Sequence, residues 1–182
     1  KGESDMLFDT HAHINADQFA EDLEEVLKRA KDAGVTNIVV VGFDRPTITK
    51  AMDLINKYDN IYGCIGWHPV DAIDCRDEDL QWIEDLCKHP KIVALGETGL
   101  DYHWDKSPKE VQHELFRKQI RLAKKLKLPI MIHNREATED CIRILKEEQA
   151  EEVGGIMHCF SGDPETAMEV IDMNFYVSLG GP

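Results

Sequence analysis

The stretch Asp9-Thr10-His11-Ala12-His13 follows the apolar residues Leu7 and Phe8. This order is typical of a short buried strand that ends in polar residues. His11 and His13 are two positions apart, so their side chains leave the same face of a strand. At a rise of about 3.3 Å per residue, two such imidazoles can bind the same metal ion. We therefore predict a metal-binding strand at the beginning of the chain.

The composition favours a globular protein. The chain has 182 residues, of which 42% are hydrophobic and 31% are charged, which predicts one domain with a sizeable core. Met6 has the position of a natural start, so we interpret residues 1–5 as an artificial extension and residues 6–182 as a single domain. Five cysteines without a Cys-x-x-Cys motif are predicted to be reduced thiols.

Charge and hydropathy narrow the range of partners. The formal net charge of -14 argues against a protein that coats duplex nucleic acid, so any nucleic acid is expected to be held locally. No apolar run approaches the roughly 20 residues that a membrane span needs, and no secretory signal core is present. We therefore predict a cytoplasmic protein with no membrane partner, and we infer no obligate protein partner.

Short aliphatic runs alternate with amphipathic segments along the chain. This alternation predicts seven strands and six helices, and hence an almost entirely parallel sheet. The best-defined helix is expected to begin with a capping box at Ser107-Pro108-Lys109-Glu110 and to end at Leu126. The later strands are predicted at Asn37–Val41, Ile61–Gly66, Ile92–Gly96, Pro129–Ile132, Gly155–Met157 and Phe175–Leu179.

Residues with chemical functions recur where strands end. His11 and His13 end the first predicted strand, and Glu97, His133 and His158 follow the fourth, fifth and sixth. A closed barrel of eight strand–helix units brings such ends together in one ring, whereas an open sheet separates them. We therefore predict an α/β fold of the TIM (β/α)8 barrel type. A barrel of this type typically takes about 250 residues, and the sequence contains no eighth strand.

The five converging side chains form a predicted metal centre. Four imidazoles and one carboxylate suit divalent ions such as zinc, magnesium or manganese, and the ligand set does not choose among them. Glu97 is the carboxylate that can bridge two ions. Two ions about 3.5 to 4 Å apart generate a hydroxide near neutral pH and stabilise both ends of a displacement, which makes hydrolysis the natural chemistry.

These residues lie in motifs that resemble a known family. The successive signatures of the TatD family of metal-dependent deoxyribonucleases are similar to Asp9–His13, Gly66–Pro69, Gly96–Tyr102, Pro129–Arg135 and His158–Gly162. The resemblance implies a TIM-barrel hydrolase of the metal-dependent type that uses two divalent ions. Its implied substrate is DNA, cleaved at phosphodiester bonds, in single strands or from ends.

The resemblance also implies a role for each ligand. His11 and His13 bind one metal, His133 and His158 bind the other, and Glu97 bridges them as the catalytic carboxylate. The remaining ligand of the family, an aspartate after strand eight in a Glu-Thr-Asp motif, is absent from this sequence. We therefore expect the eighth strand and the last helices to be missing, so that the domain is C-terminally incomplete.

Further polar residues near these motifs are candidates for substrate contacts. His68 could donate a hydrogen bond to a substrate phosphate, and the resemblance supports this role. Arg135 could bind a phosphate with two hydrogen bonds, or pair instead with Glu136 or Glu139. Tyr102 is predicted to contact substrate. Asp101 is predicted to orient a metal ligand, with a loop hydrogen bond as the alternative.

Alternatives to nuclease activity remain open at this point. His103 and Trp104 could stack on a base or merely cover the barrel rim. An amidohydrolase acting on a C–N or ester bond would use similar histidines, but such enzymes often carry a modified lysine on strand four, and residues 94–102 contain no lysine. The missing aspartate also leaves room for a metal-binding scaffold without catalysis.

Overall fold

A computed structural model describes residues 7–12, 35–159 and 164–179. The strands are β1 (Leu7–Ala12), β2 (Val35–Gly42), β3 (Ile61–Ile65), β4 (Ile92–Asp101), β5 (Ile130–Arg135), β6 (Gly155–Cys159) and β7 (Phe175–Leu179). The helices are α1 (Arg45–Lys57), α2 (Asp77–Leu86), α3 (Lys109–Leu126), α4 (Thr138–Glu147) and α5 (Pro164–Asp172), with short 3-10 helices at Pro69–Asp74 and Ala150–Glu152. The helix predicted between the first two strands lies outside the described residues.

All seven strands form one parallel sheet, in which their order follows the chain from β1 to β7. Doubly wound open sheets reverse their strand order at a switch point, whereas a (β/α)8 barrel adds each strand beside the previous one. The observed order is therefore that of consecutive barrel strands. Within the described parts of the chain, no helix combines the length and the hydropathy needed to cross a lipid bilayer.

Side chains on the two faces of the sheet enter different apolar clusters. On β2, Ile38 and Val40 join the large cluster that includes the helices, while Val39 and Val41 join a small cluster with Cys64 and Met131. This alternation follows from the two-residue period of a strand. His133 lies two positions after Met131 on β5, so its side chain lies on the same face of the sheet as the small cluster.

Strands β2, β4, β5 and β6 extend further than the sequence predicts, and the longest extensions at the carboxyl end are those of β4 and β5. β4 continues to Asp101 and β5 to Arg135, because the two strands stay paired from Leu95 and Ile130 to their ends, with one irregularity between Gly96 and Thr98. The predicted strand ends at Gly96 and Ile132 are therefore wrong. Backbone pairing does not depend on side-chain polarity, so it continues past the apolar runs that mark these strands in the sequence.

The predicted capping box does not form. Helix α3 ends at Leu126 as predicted, but it begins at Lys109, and its N-cap is Pro108, which makes no side-chain capping bond. The hydroxyl of Ser107 instead donates to Val70 O at 2.8 Å and accepts from Ile73 N at 3.0 Å. Ser107 thus attaches the start of α3 to the 3-10 helix Pro69–Asp74, and this tertiary bond replaces the local one.

Candidate metal centre

Three of the described side chains bring possible metal-ligating atoms together. His68 follows β3, Glu97 lies within β4, and His133 lies on β5. One ligand atom of each lies within 4.8 Å of the others. Glu97 and His133 are buried, with 6% and 5% of their surfaces exposed. A buried group of two imidazoles and a carboxylate is suited to a divalent cation.

His133 lies between two carboxylates. Its Nδ1 is 3.1 Å from Glu97 Oε1, and its Nε2 is 2.8 Å from Asp101 Oδ2. Asp101 Oδ1 also accepts a hydrogen bond from the backbone N–H of His103 at 2.9 Å. The carboxylate of Asp101 is therefore held from two sides, and it fixes the plane of the His133 ring.

These contacts shift the protonation of both partners. Burial of Asp101 opposes its charged form, but the hydrogen bonds from His133 and from the backbone of His103 outweigh burial and lower the pKa of the Asp101 carboxyl. Burial likewise opposes a charged His133, but hydrogen bonds to Asp101 and Glu97 outweigh it and raise the pKa of His133. An ionised Asp101 only accepts hydrogen bonds, so the proton between the two groups belongs to Nε2 of His133.

His68 is held as a neutral ring with a defined tautomer. Its Nδ1 accepts a hydrogen bond from the backbone N–H of Val70 at 3.1 Å, which leaves the ring proton on Nε2. Burial, followed by the neighbouring His133, lowers the pKa of His68 to about 4, against the opposing effect of Glu97 and Asp101. The rings of His68 and His133 have centroids 4.4 Å apart. His68 therefore presents an N–H donor beside the metal-ligating atoms of His133 and Glu97.

The donor set fits a divalent cation held by His133 and Glu97. A histidine that donates one ring nitrogen to a carboxylate keeps the other nitrogen as a metal ligand, and this arrangement is general in metal sites. Here Asp101 accepts from Nε2 of His133, and Nδ1 faces Glu97. The contact is the one that the sequence predicts for Asp101, whose role in orienting a ligand stays a prediction.

Of the other three predicted ligands, the structure describes His158, the backbone of His11 and no part of His13. His158 on β6 pairs in register with His133 on β5, so both side chains leave the same face of the sheet. The backbone of His11 lies in β1, but its side chain is outside the description, and His13 lies outside the described residues altogether. The ligand roles of His11, His13 and His158 therefore stay predictions.

Two predicted substrate contacts lie at the ends of the site strands. Arg135 is the last residue of β5, two positions beyond His133, so it continues the same face. Tyr102 directly follows β4, and its hydroxyl contacts Asp140 Oδ2 and His113 Nε2, each at 2.5 Å. His113 and Asp140 lie on α3 and α4, and sequence spacing does not predict that either helix brings them to Tyr102. The substrate roles of Arg135 and Tyr102 stay predictions.

Two aromatic residues follow β4 in the loop that begins at the site. The rings of His103 and Trp104 lie edge to face with centroids 4.9 Å apart. Trp104 is 54% exposed, and His103 Nδ1 lies 3.3 Å from Glu136 Oε1. The pair therefore offers an exposed aromatic surface near the carboxyl ends of β4 and β5.

Gly99 permits the close contact between β4 and β5 beside the site. Its φ of +140° is unfavourable for residues with a side chain, and a Cβ placed there would lie 2.0 Å from the carbonyl oxygen of His133. Gly99 is also the register partner of His133. The backbone that carries His133 thus packs directly against a position that accepts no side chain.

Known proteins are similar to this chain in sequence and in fold. A family model described as TatD related DNase matches residues 8–182. YabD of Bacillus subtilis, named an uncharacterized metal-dependent hydrolase, is 67% identical over 97% of this chain and 69% of its own length. The protein of Shigella flexneri named 3'-5' ssDNA/RNA exonuclease TatD is 30% identical over 96% of this chain and 67% of its own length.

A solved structure agrees with these sequence matches. The crystal structure of YJJV, a TatD homolog from Escherichia coli, superposes with a TM-score of 0.86 at 29% identity, over 94% of this chain and 66% of that one. The chain thus spans about two thirds of the length of the relatives that it matches. The predicted TIM-barrel class is confirmed, and the chain belongs to the family of TatD related DNases.

Proposed function

We propose that this chain is the larger part of a metal-dependent hydrolase that cleaves phosphodiester bonds of DNA, in single strands or from ends. The observation that carries the proposal is the buried contact of Glu97 with His133, which Asp101 orients, in a chain of the TatD related DNase family. We further propose two divalent ions, one held by His11, His13 and Glu97, the other by Glu97, His133 and His158.

The chemistry divides between the metal centre and the neighbouring side chains. Divalent ions, which the proposed ligands would hold, would activate a water molecule near neutral pH and neutralise charge on the phosphate. Glu97 contacts Nδ1 of His133, and Asp101 keeps the His133 ring in one orientation. His68 donates from Nε2 to a phosphate oxygen, because its Nδ1 is engaged by the N–H of Val70. Arg135 binds a second phosphate oxygen.

Charge supports a substrate that is gripped at one place. The chain carries 35 acidic and 21 basic residues, so it lacks the cations that bind a long stretch of duplex backbone. A single-stranded end needs only local contacts at the mouth. The name of the Shigella flexneri relative refers to single-stranded DNA and RNA, which supports the same class of substrate here.

A labelled-oligonucleotide assay tests the proposal. Single-stranded DNA labelled at either end is incubated with the chain and Mg²⁺ or Mn²⁺, and with excess chelator as a reference. We expect progressive shortening that the chelator abolishes and that Glu97→Gln reduces at least a thousandfold, in line with the loss of a residue essential for transition-state stabilisation. Glu114→Gln, whose side chain is 70% exposed on α3, is the matched control with the same change of charge.

A parallel assay of Bacillus subtilis YabD separates two causes of a negative result. The chain covers 69% of YabD, so YabD supplies the remainder of the fold. Cleavage by YabD alone would show that residues outside this chain are needed. If neither protein shortens DNA, and a small amide or lactone is hydrolysed instead, the nuclease proposal is overturned in favour of an amidohydrolase.

A further inference from the structure

Two buried glutamines interrupt the apolar face of helix α3. Gln112 and Gln119 are seven residues apart, which is two helical turns, so they lie on one face of the helix. Their exposed fractions are 1% and 0%. Their neighbours on this face are apolar and equally buried, and include Leu115, Phe116 and Ile120. Buried glutamine is rare, because both ends of its amide need partners.

Gln119 binds the chain on both sides of the metal centre. Its Oε1 accepts from the backbone N–H of Trp67 at 2.8 Å, and its Nε2 donates to Trp67 O at 3.0 Å. The same Nε2 donates to Thr98 Oγ1 at 2.8 Å. Trp67 directly precedes His68, and Thr98 directly follows Glu97. One amide group therefore binds the backbone of the residue before His68 and the side chain of the residue after Glu97.

Gln112 binds the backbone of Asp101 in the same way as Gln119 binds that of Trp67. Its Oε1 accepts from the backbone N–H of Asp101 at 2.9 Å, and its Nε2 donates to Asp101 O at 3.0 Å. The Nε2 also donates to Ser107 O at 3.0 Å. Ser107 in turn donates to Val70 O, and the N–H of Val70 binds His68 Nδ1. Gln112 therefore acts on Asp101 directly and on His68 through Ser107.

From these contacts, together with the metal centre of the proposed function, we propose that Gln112 and Gln119 are positioning residues that set the mutual placement of His68, Glu97 and Asp101. Apolar packing also holds α3 against the sheet, but it is non-directional and by itself would allow small shifts along a strand. An amide that pairs with both the N–H and the C=O of one residue is directional, so it fixes that residue along the strand axis. Helix α3 thus holds the backbone segments that carry the site residues in fixed relative positions.

Isosteric substitutions separate positioning from packing. Gln112→Met and Gln119→Met keep the length of the side chain and remove the hydrogen bonds, while Leu115→Ala removes packing from the same face of α3. The measured quantities are the melting temperature and the affinity for Mn²⁺, the latter by electron paramagnetic resonance. We expect each glutamine variant to weaken Mn²⁺ binding about tenfold or more, the usual effect of losing a group that orients ligands. Leu115→Ala is expected to lower the melting temperature with a Mn²⁺ affinity within about twofold of the parent.

A metal-free measurement makes the test independent of the proposed activity. The proton between His133 Nε2 and Asp101 is expected to give a downfield proton resonance in the absence of metal. We expect Gln112→Met to shift or broaden this resonance and Leu115→Ala to leave it in place. If Gln119→Met fails to fold, Thr98→Val removes one of its bonds with little change of volume and is expected to weaken Mn²⁺ binding. Unchanged resonance and unchanged affinity in the glutamine variants would overturn the positioning role. Altered resonance, in a case where neither this chain nor YabD cleaves DNA, would retain the positioning role and reject the nuclease instead.

Discussion

The hydroxyl of Tyr102 donates a hydrogen bond to Asp140 Oδ2 at 2.5 Å, which connects the residue after β4 to helix α4. His113 on α3 contacts the same hydroxyl, and Lys109 Nζ lies 4.4 Å from the centre of the Tyr102 ring. The hydrogen bond from Tyr102, followed by that from Arg143, lowers the pKa of the Asp140 carboxyl. The contact thus joins two helices beside the loop that carries His103 and Trp104.

Tyr102→Phe is expected to destabilise the fold by about 1 kcal/mol, the typical contribution of one such hydrogen bond. A carboxyl whose pKa is lowered by folding contributes stability above its unfolded pKa of about 3.9, and this contribution is lost as pH falls through the folded pKa. The difference in the free energy of unfolding between variant and parent should therefore have its full value at pH 5 to 8 and decrease below about pH 4. Urea unfolding across this range measures it. An accompanying rise in KM for an oligonucleotide would reveal the predicted contact with substrate.

Asp101→Asn is expected to weaken Mn²⁺ binding about 10- to 100-fold, because the neutral amide no longer fixes the protonated Nε2 of His133. Asn retains an oxygen for the N–H of His103, so the loop should keep its conformation. Titration calorimetry measures the affinity. Asp105→Asn, an exposed position in the same loop, makes the same change of charge and should bind Mn²⁺ like the parent chain. Equal affinities in all three proteins would refute the orienting role of Asp101.

Removal of metal is expected to lower thermal stability. A ligand present at 100 times its dissociation constant stabilises a protein by about 2.7 kcal/mol, which corresponds to a melting shift of about 5 to 10 °C for a chain of this size. Calorimetric scans with Mn²⁺ and with chelator measure the shift. His133→Ala should abolish most of it. His89→Ala, which precedes β4 at the opposite end of the sheet, should preserve it.

Trp104→Ala is expected to raise KM for single-stranded DNA about tenfold, since stacking of one base on an aromatic ring contributes roughly 1 to 3 kcal/mol. The residue is 54% exposed, so the melting temperature should stay within about 1 °C of the parent value. An oligonucleotide should quench the tryptophan fluorescence of the parent chain more than that of Trp104→Ala, which retains Trp67 and Trp82. Met168→Ala on α5, at a position that is 67% exposed, is the control for loss of exposed apolar surface.

The sequence predicts the fold well where apolar periodicity alone determines the structure. Strand β7 has its predicted bounds, Phe175–Leu179, and helix α3 ends at Leu126 as predicted. The ends of β4 and β5 are missed, because the polar residues Glu97 and His133 interrupt the apolar pattern while the backbone pairing continues. A pattern of side chains cannot report a ladder that is formed by the main chain.

Contacts between distant segments account for what else the sequence misses. Ser107 has the local pattern of a capping residue, yet its hydroxyl bonds Val70 and Ile73. The two glutamines of α3 carry a detectable signal, since amides seven residues apart within an apolar stripe are unusual, but their partners Trp67 and Asp101 follow only from the fold. The sequence therefore gives the elements and the candidate ligands, and the tertiary structure gives the groups that orient them.

The glycine at position 99 limits how this site can evolve. Because any side chain there would collide with the main chain of His133, saturation mutagenesis should recover glycine alone at position 99, whereas position 93 on the same strand, whose valine is 38% exposed, should tolerate most residues. Descendants of this protein could still alter the loop that follows Asp101 without disturbing this contact. The close pairing of β4 with β5 at Gly99 and His133 would remain unchanged while the loop, and with it the substrate selectivity, diverges.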